Sequence, residues 1–458
     1  MGVMIRPTLT LFLAVTAGLA ADTALDRYVR KPDPTYQWKV AASIPCGGCK
    51  ATVLDLKSQT WRKPEEVSNN VWQHWLTVIR PEKVLHKTAL LFISGGSIGR
   101  QHPARAEAML ANFAKESGAV VAELRMIPNE PLQFPGETRT RTEDAIIAYT
   151  WDKFLRGGDE EWPLRLPMTK AAVRAMDAVT EFMKTPEAGN HVVDKYVVSG
   201  ASKRGWTTWT TAAVDKRVVA IAPLVIDMLN LEKSFIHHWR VYGFWAPAVK
   251  DYQDMKIMDW MGSKENEKLL KIEEPYEYRD RLTIPKYIVN AAGDQFFVPD
   301  SAQFYFKDLK GEKLIRYVPN ADHSLRNSDA PLGLLAWLQT ILNNRPRPRV
   351  QWRFANNGSI RIKTVDKPTD VKLWQANNPD ARDFRLEKIG PAYKSTTLTA
   401  AKNGEYVATV SKPEKGFTAY FVELTYPSGG KYPLKVTTEV RVTPGVYPFP
   451  PPKLTPPR

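Results

Sequence analysis

Cysteine is almost absent from this chain, and its scarcity narrows the chemistry. Only two occur, Cys46 and Cys49, in "IPCGGCK". A C-x-x-C can form half of a zinc site, but no second pair completes it. A redox motif of the thioredoxin type needs a βαβ start around it, and none is visible. A lipoprotein cysteine would follow an N-terminal apolar run directly, and Cys46 lies too far downstream. In an exported protein the pair predicts a local structural disulfide across a Gly-Gly turn.

Long hydrophobic runs are missing too. The longest N-terminal one, in "PTLTLFLAVTAGLAAD" after Arg6, is far short of the roughly 20 residues that span a bilayer. A short positive region, an apolar stretch and then small residues make a signal peptide over residues 1–20, with cleavage after Ala20. The expected location is therefore secreted or periplasmic. There is also no block of five or more basic residues, although 64 Lys+Arg face 49 Asp+Glu and the net charge is +15. Charge spread this thinly is a diffuse field rather than a nucleic-acid footprint. It suits an acidic substrate or an anionic surface polymer as partner. Internal repeats are absent, and nothing calls for a cofactor or a metal.

What is present is alternation. "YQWKVAAS", "ATVLDLKSQTW" and "VWQHWLTVIRP" read as early strands. "TALLFISGG" is a continuous apolar run, as in a strand buried on both faces. Helical patterns follow in "PARAEAMLANFAKES", in "TEDAIIAYTWDKFL" with Thr142 as N-cap, and in "LPMTKAAVRAMDAVTEFMK". Strands "AVVAELRMI", "KYVVSG", "VVAIAPLVI", "PKYIVNAAG" and "KLIRYVPN" are interleaved with them, with a helix near 300–310 and another in "APLGLLAWLQTIL". This order predicts an α/β fold over residues 21–345, a mostly parallel sheet with helices on both faces. Residues 228–280, rich in Trp, Met and charge, form an insertion that would lie over the strand ends as a lid. After "NNRPRPRV" only short alternating runs remain. Residues 346–444 therefore read as a small β-sandwich domain, and 445–458 as a Pro-rich extended tail.

Chemistry points to "VVSGASKRGWTTW". Ser202 follows a strand and precedes a helix, where an α/β-hydrolase sets its nucleophile on a sharp turn. Gly200 lies two residues before it. The usual glycine two residues after is replaced by Arg204, and Gly205 comes one later. A serine needs a base, and the base an orienting acid. Chain order in this fold is Ser, acid, His. Asp294 ends strand "PKYIVNAAG", and His323, in "NADHSL", is the only one of seven histidines downstream of it. Asp227 ends an earlier strand and is the rival acid. Asp300 reads as the N-cap of the next helix, and Asp322 shapes the turn before His323. The oxyanion needs backbone donors, expected from the N–H of Lys203 and from Gly96 and Ser97 in "SGGSIG". Lys203 and Arg204 are candidates for attracting a substrate anion, although Arg204 also has a structural reading, paired with Glu143 or Asp144. Trp239 and Trp245, in "HHWRVYGFWAP", are candidates for lining a pocket or for forming the core of the lid. Most of the 14 Trp fall in strand or helix patterns and read as core rather than sugar platforms.

Five stretches carry a resemblance: "SGASKRGWTTW", "RTEDAIIAYTW", "MIPNEPLQF", "NAAGDQFF" and "NADHSL". Through them the chain resembles the PhoPQ-activated pathogenicity-related protein family over about residues 25–440. The resemblance implies export, a hydrolase-type core and, in some bacteria, a link to virulence. It implies no firm substrate. It would make Ser202, Asp294 and His323 the triad, and Arg204 part of the family's own motif. Two functions are thus expected in order. The first is an exported serine hydrolase acting on peptide, amide or ester bonds of a small-molecule or peptide substrate. The second is a non-catalytic secreted signalling, virulence or surface-binding protein on the same fold.

Overall fold

The computed structural model describes residues 22–455, so the expected signal peptide lies outside the described residues. The early alternating runs become strands β1 (Gln37–Ile44), β2 (Cys49–Thr60) and β3 (Val71–Pro81), all antiparallel. Six more follow: β4 (Thr88–Ile93), β5 (Val121–Leu124), β6 (Lys195–Ala201), β7 (Val218–Leu224), β8 (Lys286–Ala291) and β9 (Lys313–Val318). Together they form one sheet of order β1-β2-β3-β5-β4-β6-β7-β8-β9, parallel from β5 onward. Every residue of β5 and β8 is buried, as a strand covered on both faces requires. This is the α/β-hydrolase architecture.

Helices cover the sheet: α1 (Ala24–Arg30), α2 (Ala108–Ser117), α3 (Glu143–Gly157), α4 (Arg165–Met183) and α5 (Lys203–Val214). Residues 228–280 supply α6 (Leu231–Tyr242), α7 (Lys250–Asp254) and α8 (Lys264–Glu273), and α9 spans Ala330–Leu342. Among the described residues no helix is long and apolar enough to cross a membrane. Two local expectations are corrected. Helix α2 starts five residues later than its pattern, because Glu107 takes the N-cap position and accepts the Leu110 N–H. The stretch near 300–310 forms two 3-10 turns, Ser301–Phe304 and Phe306–Asp308, and Asp300 makes no side-chain cap. Its carboxylate is taken instead by His237 Nε2 at 2.9 Å and Arg382 at 2.7 Å.

Beyond α9 lie two antiparallel sheets. Strands β10 (Val350–Phe354), β11 (Ile360–Thr364) and β14 (Tyr406–Ala408) make one. Strands β12 (Asp370–Asn378), β13 (Lys394–Thr397), β15 (Phe417–Tyr426), β16 (Leu434–Thr437) and β17 (Arg441–Thr443) make the other. Alternation along β15 splits its side chains between two cores. Tyr420, Val422 and Leu424 join Ile360 and Ile362 of the smaller sheet. Ala419 and Phe421 join the hydrolase core, with the Phe421 ring 6.2 Å from Tyr317. Edge strand β9 is covered as well, since the Tyr317 N–H donates to Thr437 Oγ1 at 3.0 Å. The tail is not free either. Tyr447 meets His237 Nδ1 at 3.0 Å, and the Phe449 N–H donates to Arg240 O, so the tail crosses lid helix α6.

Cys46 and Cys49 are joined in a disulfide, Cα–Cα 5.2 Å, just before and at the start of β2. A loop this short constrains the unfolded chain little. Replacing both cysteines by Ser should lower stability by up to about 2 kcal/mol. Urea unfolding midpoints check this, and a change in helix content would mean the pair does more than staple a turn.

Candidate active site

Ser202 joins β6 to α5 with φ 58° and ψ −125°, a conformation that non-glycine residues rarely adopt. The strand-end hydrogen bond holds it there: the Ser202 N–H donates to Leu224 O of β7 at 2.8 Å. Two glycines give the turn room. A Cβ on Gly200 would lie 2.8 Å from Arg204 O, and one on Gly205 would lie 2.9 Å from Leu224 O. Gly205 therefore lets α5 approach β7, which explains why a glycine three residues after the serine suffices. As the first residue of α5, Lys203 has an N–H with no intrahelical acceptor.

Strand β4 is the ladder neighbour of β6, with Ile93 opposite Gly200. The loop carrying Gly96 and Ser97 thus leaves the sheet beside the elbow. Gly96 has φ 127°, and Ser97 bridges to Glu130. These are the positions from which backbone donors could face a group on Ser202.

Asp294 and His323 are brought together from the ends of β8 and β9. His323 Nδ1 lies 2.8 Å from Asp294 Oδ2, and Asp294 Oδ1 accepts the Phe296 N–H at 2.8 Å. A carboxylate on Nδ1 fixes the proton there and leaves Nε2 as the basic nitrogen. That Nε2 is buried and has no partner, so no hydrogen bond joins it to Ser202 in this structure. Phe296 packs against the imidazole with ring centroids 4.4 Å apart. Segment 386–393 holds both loops: the Leu386 N–H donates to Gly293 O at 2.9 Å, and Asn320 exchanges bonds with the Tyr393 backbone at 2.9 and 2.8 Å.

Asp227 also lines the cavity beside Ser202, but it is not bonded to His323. It accepts bonds from Tyr305 and Tyr317 hydroxyls, both at 2.6 Å, and burial pushes its carboxyl up to about 8. Asp322 accepts from the backbone and hydroxyl of Ser324, as a turn-shaping residue does.

The two cations behind the serine are both engaged. Arg204 Nε donates to Ile127 O and its Nη2 to Glu143 Oε1 at 2.7 Å. Lys203 pairs with Glu143 at 2.9 Å and Asp144 at 3.0 Å. Arg204 is thus a strut under the elbow and does not line the cavity there. Trp239 and Trp245 do not line it either; their rings pack against each other, tilted by 57° with centroids 5.1 Å apart, within residues 228–280.

The cavity beside Ser202 holds about 40 Å³. Its walls include Arg165, Met228, Phe235, Tyr252 and Phe296. Of these five only Phe296 falls in a motif singled out in the sequence, "NAAGDQFF". Arg165 begins α4 in "WPLRLP", where nothing separates it from a surface residue, and Phe235 shares its helix with the more conspicuous tryptophans. Among the described residues no cluster of His, Cys, Asp and Glu is arranged to hold a metal.

The chain belongs to the PhoPQ-activated pathogenicity-related protein family, whose pattern matches residues 25–385. It is 36% identical over 476 residues to autocrine proliferation repressor protein A of Dictyostelium discoideum, covering 97% of this chain and 95% of that protein. Among solved structures it is similar to an acetyl xylan esterase from Paenibacillus sp. R4, with TM-score 0.50 and 12% identity, covering 71% of this chain and 95% of that one. That likeness is one of fold.

Proposed function

We propose that this family member is an exported serine hydrolase acting on peptide, amide or ester bonds. Ser202 is the nucleophile, His323 the base and Asp294 the orienting acid. The observation that carries the reading is the pair after the strand ends: Nδ1 of His323 is held by buried Asp294 and its Nε2 has no partner, while all three residues follow the carboxyl ends of parallel strands. The Ser202–His323 bond is expected to form with substrate, since such bonds are often open beforehand.

The chemistry follows from those roles. Ser202 Oγ attacks the carbonyl carbon while Nε2 takes its proton. The N–H groups of Lys203 and of Gly96 or Ser97 receive the oxyanion. Collapse breaks the bond to the leaving group, which takes the proton from His323. Water, deprotonated by the same nitrogen, then releases the acyl group as acid and restores Ser202. Export rests on the N-terminal signal grammar and on the oxidised Cys46–Cys49 pair.

A fluorophosphonate probe tests the reading. Stoichiometric labelling, mapped to the peptide that contains Ser202, is expected. Labelling elsewhere, or none on folded protein, would sink it. One observation favours a second reading. The relative named as a proliferation repressor matches almost the whole chain, so this protein could act as a secreted signal. Protein whose Ser202 has been blocked by the probe separates the two: a signal that survives blocking does not need the hydrolase.

A further inference from the structure

Two cations line the cavity beside Ser202, and their situations differ. Lys203 is matched by Glu143 and Asp144. Arg165 is 3% exposed, and among the described residues no carboxylate forms an ion pair with it. Its Nη1 donates to Lys203 O at 2.8 Å, and its Nε has no partner. The ring of Trp206 lies 4.5 Å beneath the guanidinium and holds it in place. Glu273 and Asp144 act on it only at a distance: Glu273 accepts from Trp151 Nε1 through one oxygen, and Asp144 is paired with Lys203. Arg165 is also the first residue of α4, where the helix dipole disfavours a cation. A buried guanidinium without a direct ion-pair partner is unfavourable, and the Trp206 ring with the more distant charges of Glu273 and Asp144 offsets only part of that cost.

We propose that Arg165 reads a carboxylate on the substrate, held in the cavity next to the scissile bond. The inference rests on the hydrolase reading of Ser202 for its meaning, but the anion site stands on its own geometry. Guanidinium is suited to carboxylate recognition, and burial strengthens the contact. Arg165 reaches the backbone of the residue next to Ser202, so the carboxylate sits close to the bond being cut. It belongs either to the acyl part or to the leaving part.

Calorimetric titration of the full protein with acetate and propanoate, against acetamide and propanamide, tests the site. The carboxylates are expected to bind at least tenfold tighter than the amides. Arg165→Met should erase that preference while circular dichroism shows the fold retained. If R165M does not fold, Arg165→Lys serves: it keeps the charge and should keep a weakened preference. Equal binding of amides and carboxylates, or an unchanged preference in R165M, overturns the proposal. Two ester pairs then locate the carboxylate. Monomethyl malonate against methyl propanoate reads the acyl side, and acetylglycolate against propyl acetate reads the leaving side. The charged member of one pair should have at least a tenfold higher kcat/KM in wild type and lose that advantage in R165M. Wild-type turnover with no charge preference in either pair also overturns it. Carboxylate binding without any probe labelling would retire the hydrolase and keep the anion site. Labelling without carboxylate binding would do the reverse.

Discussion

Asp294→Asn should cut turnover by about 10⁴-fold while leaving the fold intact. The Asp294 carboxylate accepts only, so it selects the His323 ring with its proton on Nδ1, 2.8 Å away. An amide in the same place can present its NH₂ to Nδ1. The ring then carries its proton on Nε2 and cannot take another from serine. The imidazolium formed during attack also loses its counter-charge. Hydrolysis of 4-nitrophenyl acetate and the rate of fluorophosphonate labelling both read this loss.

Asp227→Asn is the control. Asp227 lies at the end of β7, but its oxygens face the hydroxyls of Tyr305 and Tyr317. Turnover should change less than tenfold. Stability should change with a definite sign. Burial, with Asp294 and Asp300 adding to it, holds the carboxyl up at about 8, whereas in the unfolded chain it titrates near 4. Below about pH 4 both states are protonated and the group costs nothing. Between about 4 and about 8 the unfolded chain has released the proton and the folded one retains it, so stability falls as pH rises, by up to about 1.4 kcal/mol per unit. Above 8 the loss is complete. Asn cannot ionise, so D227N should be more stable than wild type at pH 8.5 and nearly equal at pH 4.5, by urea midpoint. If D227N abolishes turnover and D294N spares it, the acid belongs to the earlier strand.

Legibility in the sequence follows from which signals are local. Alternating strands and helices are written in short-range periodicity, so the sheet and the strand-end positions of Ser202, Asp294 and His323 could be read directly. The elbow was readable for the same reason, down to Gly200. What stayed hidden depends on chain separation. Asp300 looks like a cap because caps are local, yet its partners His237 and Arg382 lie 63 and 82 residues away. Arg165 looks unremarkable until α4, α5 and the lid close around it. Aromatic richness drew attention to Trp239 and Trp245, which pack on each other, whereas Phe235 of the same helix faces the cavity. The Pro-rich tail reads as extended, but its docking on α6 depends on Tyr447 and Phe449 meeting residues more than two hundred positions earlier.

Arg204 departs from the usual hydrolase elbow, and its geometry carries the second large prediction. Its guanidinium reaches under the end of β4, to Ile127 O and to Glu143. The path exists only because two residues lack side chains. A Cβ on Gly95 would lie 2.5 Å from Nη2, and one on Gly200 2.9 Å from the Arg204 Cβ. Beyond Glu143 the chain of contacts continues. The Glu143 N–H donates to Glu130 Oε2 at 2.6 Å, and the Ile98 N–H donates to Glu130 O at 2.6 Å. One side chain thus couples the elbow to the loop of Gly96 and Ser97, from which oxyanion donors are expected. Charge supports the coupling: Arg204 and Lys203 together hold Glu143 below the usual carboxylate range, although burial pushes the other way, while burial and the neighbouring Glu143 charge raise Glu130. Arg204→Met should lower the labelling rate at Ser202 by about 10²-fold or more, the scale of a misplacement near 1 Å. It should also cost about 1.5–3 kcal/mol of stability, the range for hydrogen bonds to charged groups. Arg204→Lys keeps the charge but has no planar fork, so it cannot serve Ile127 O and Glu143 together and should recover little of the rate. Full recovery in R204K would mean that only the charge matters. A stability loss in R204M with an unchanged labelling rate would mean that Arg204 braces α5 without positioning the loop that faces it.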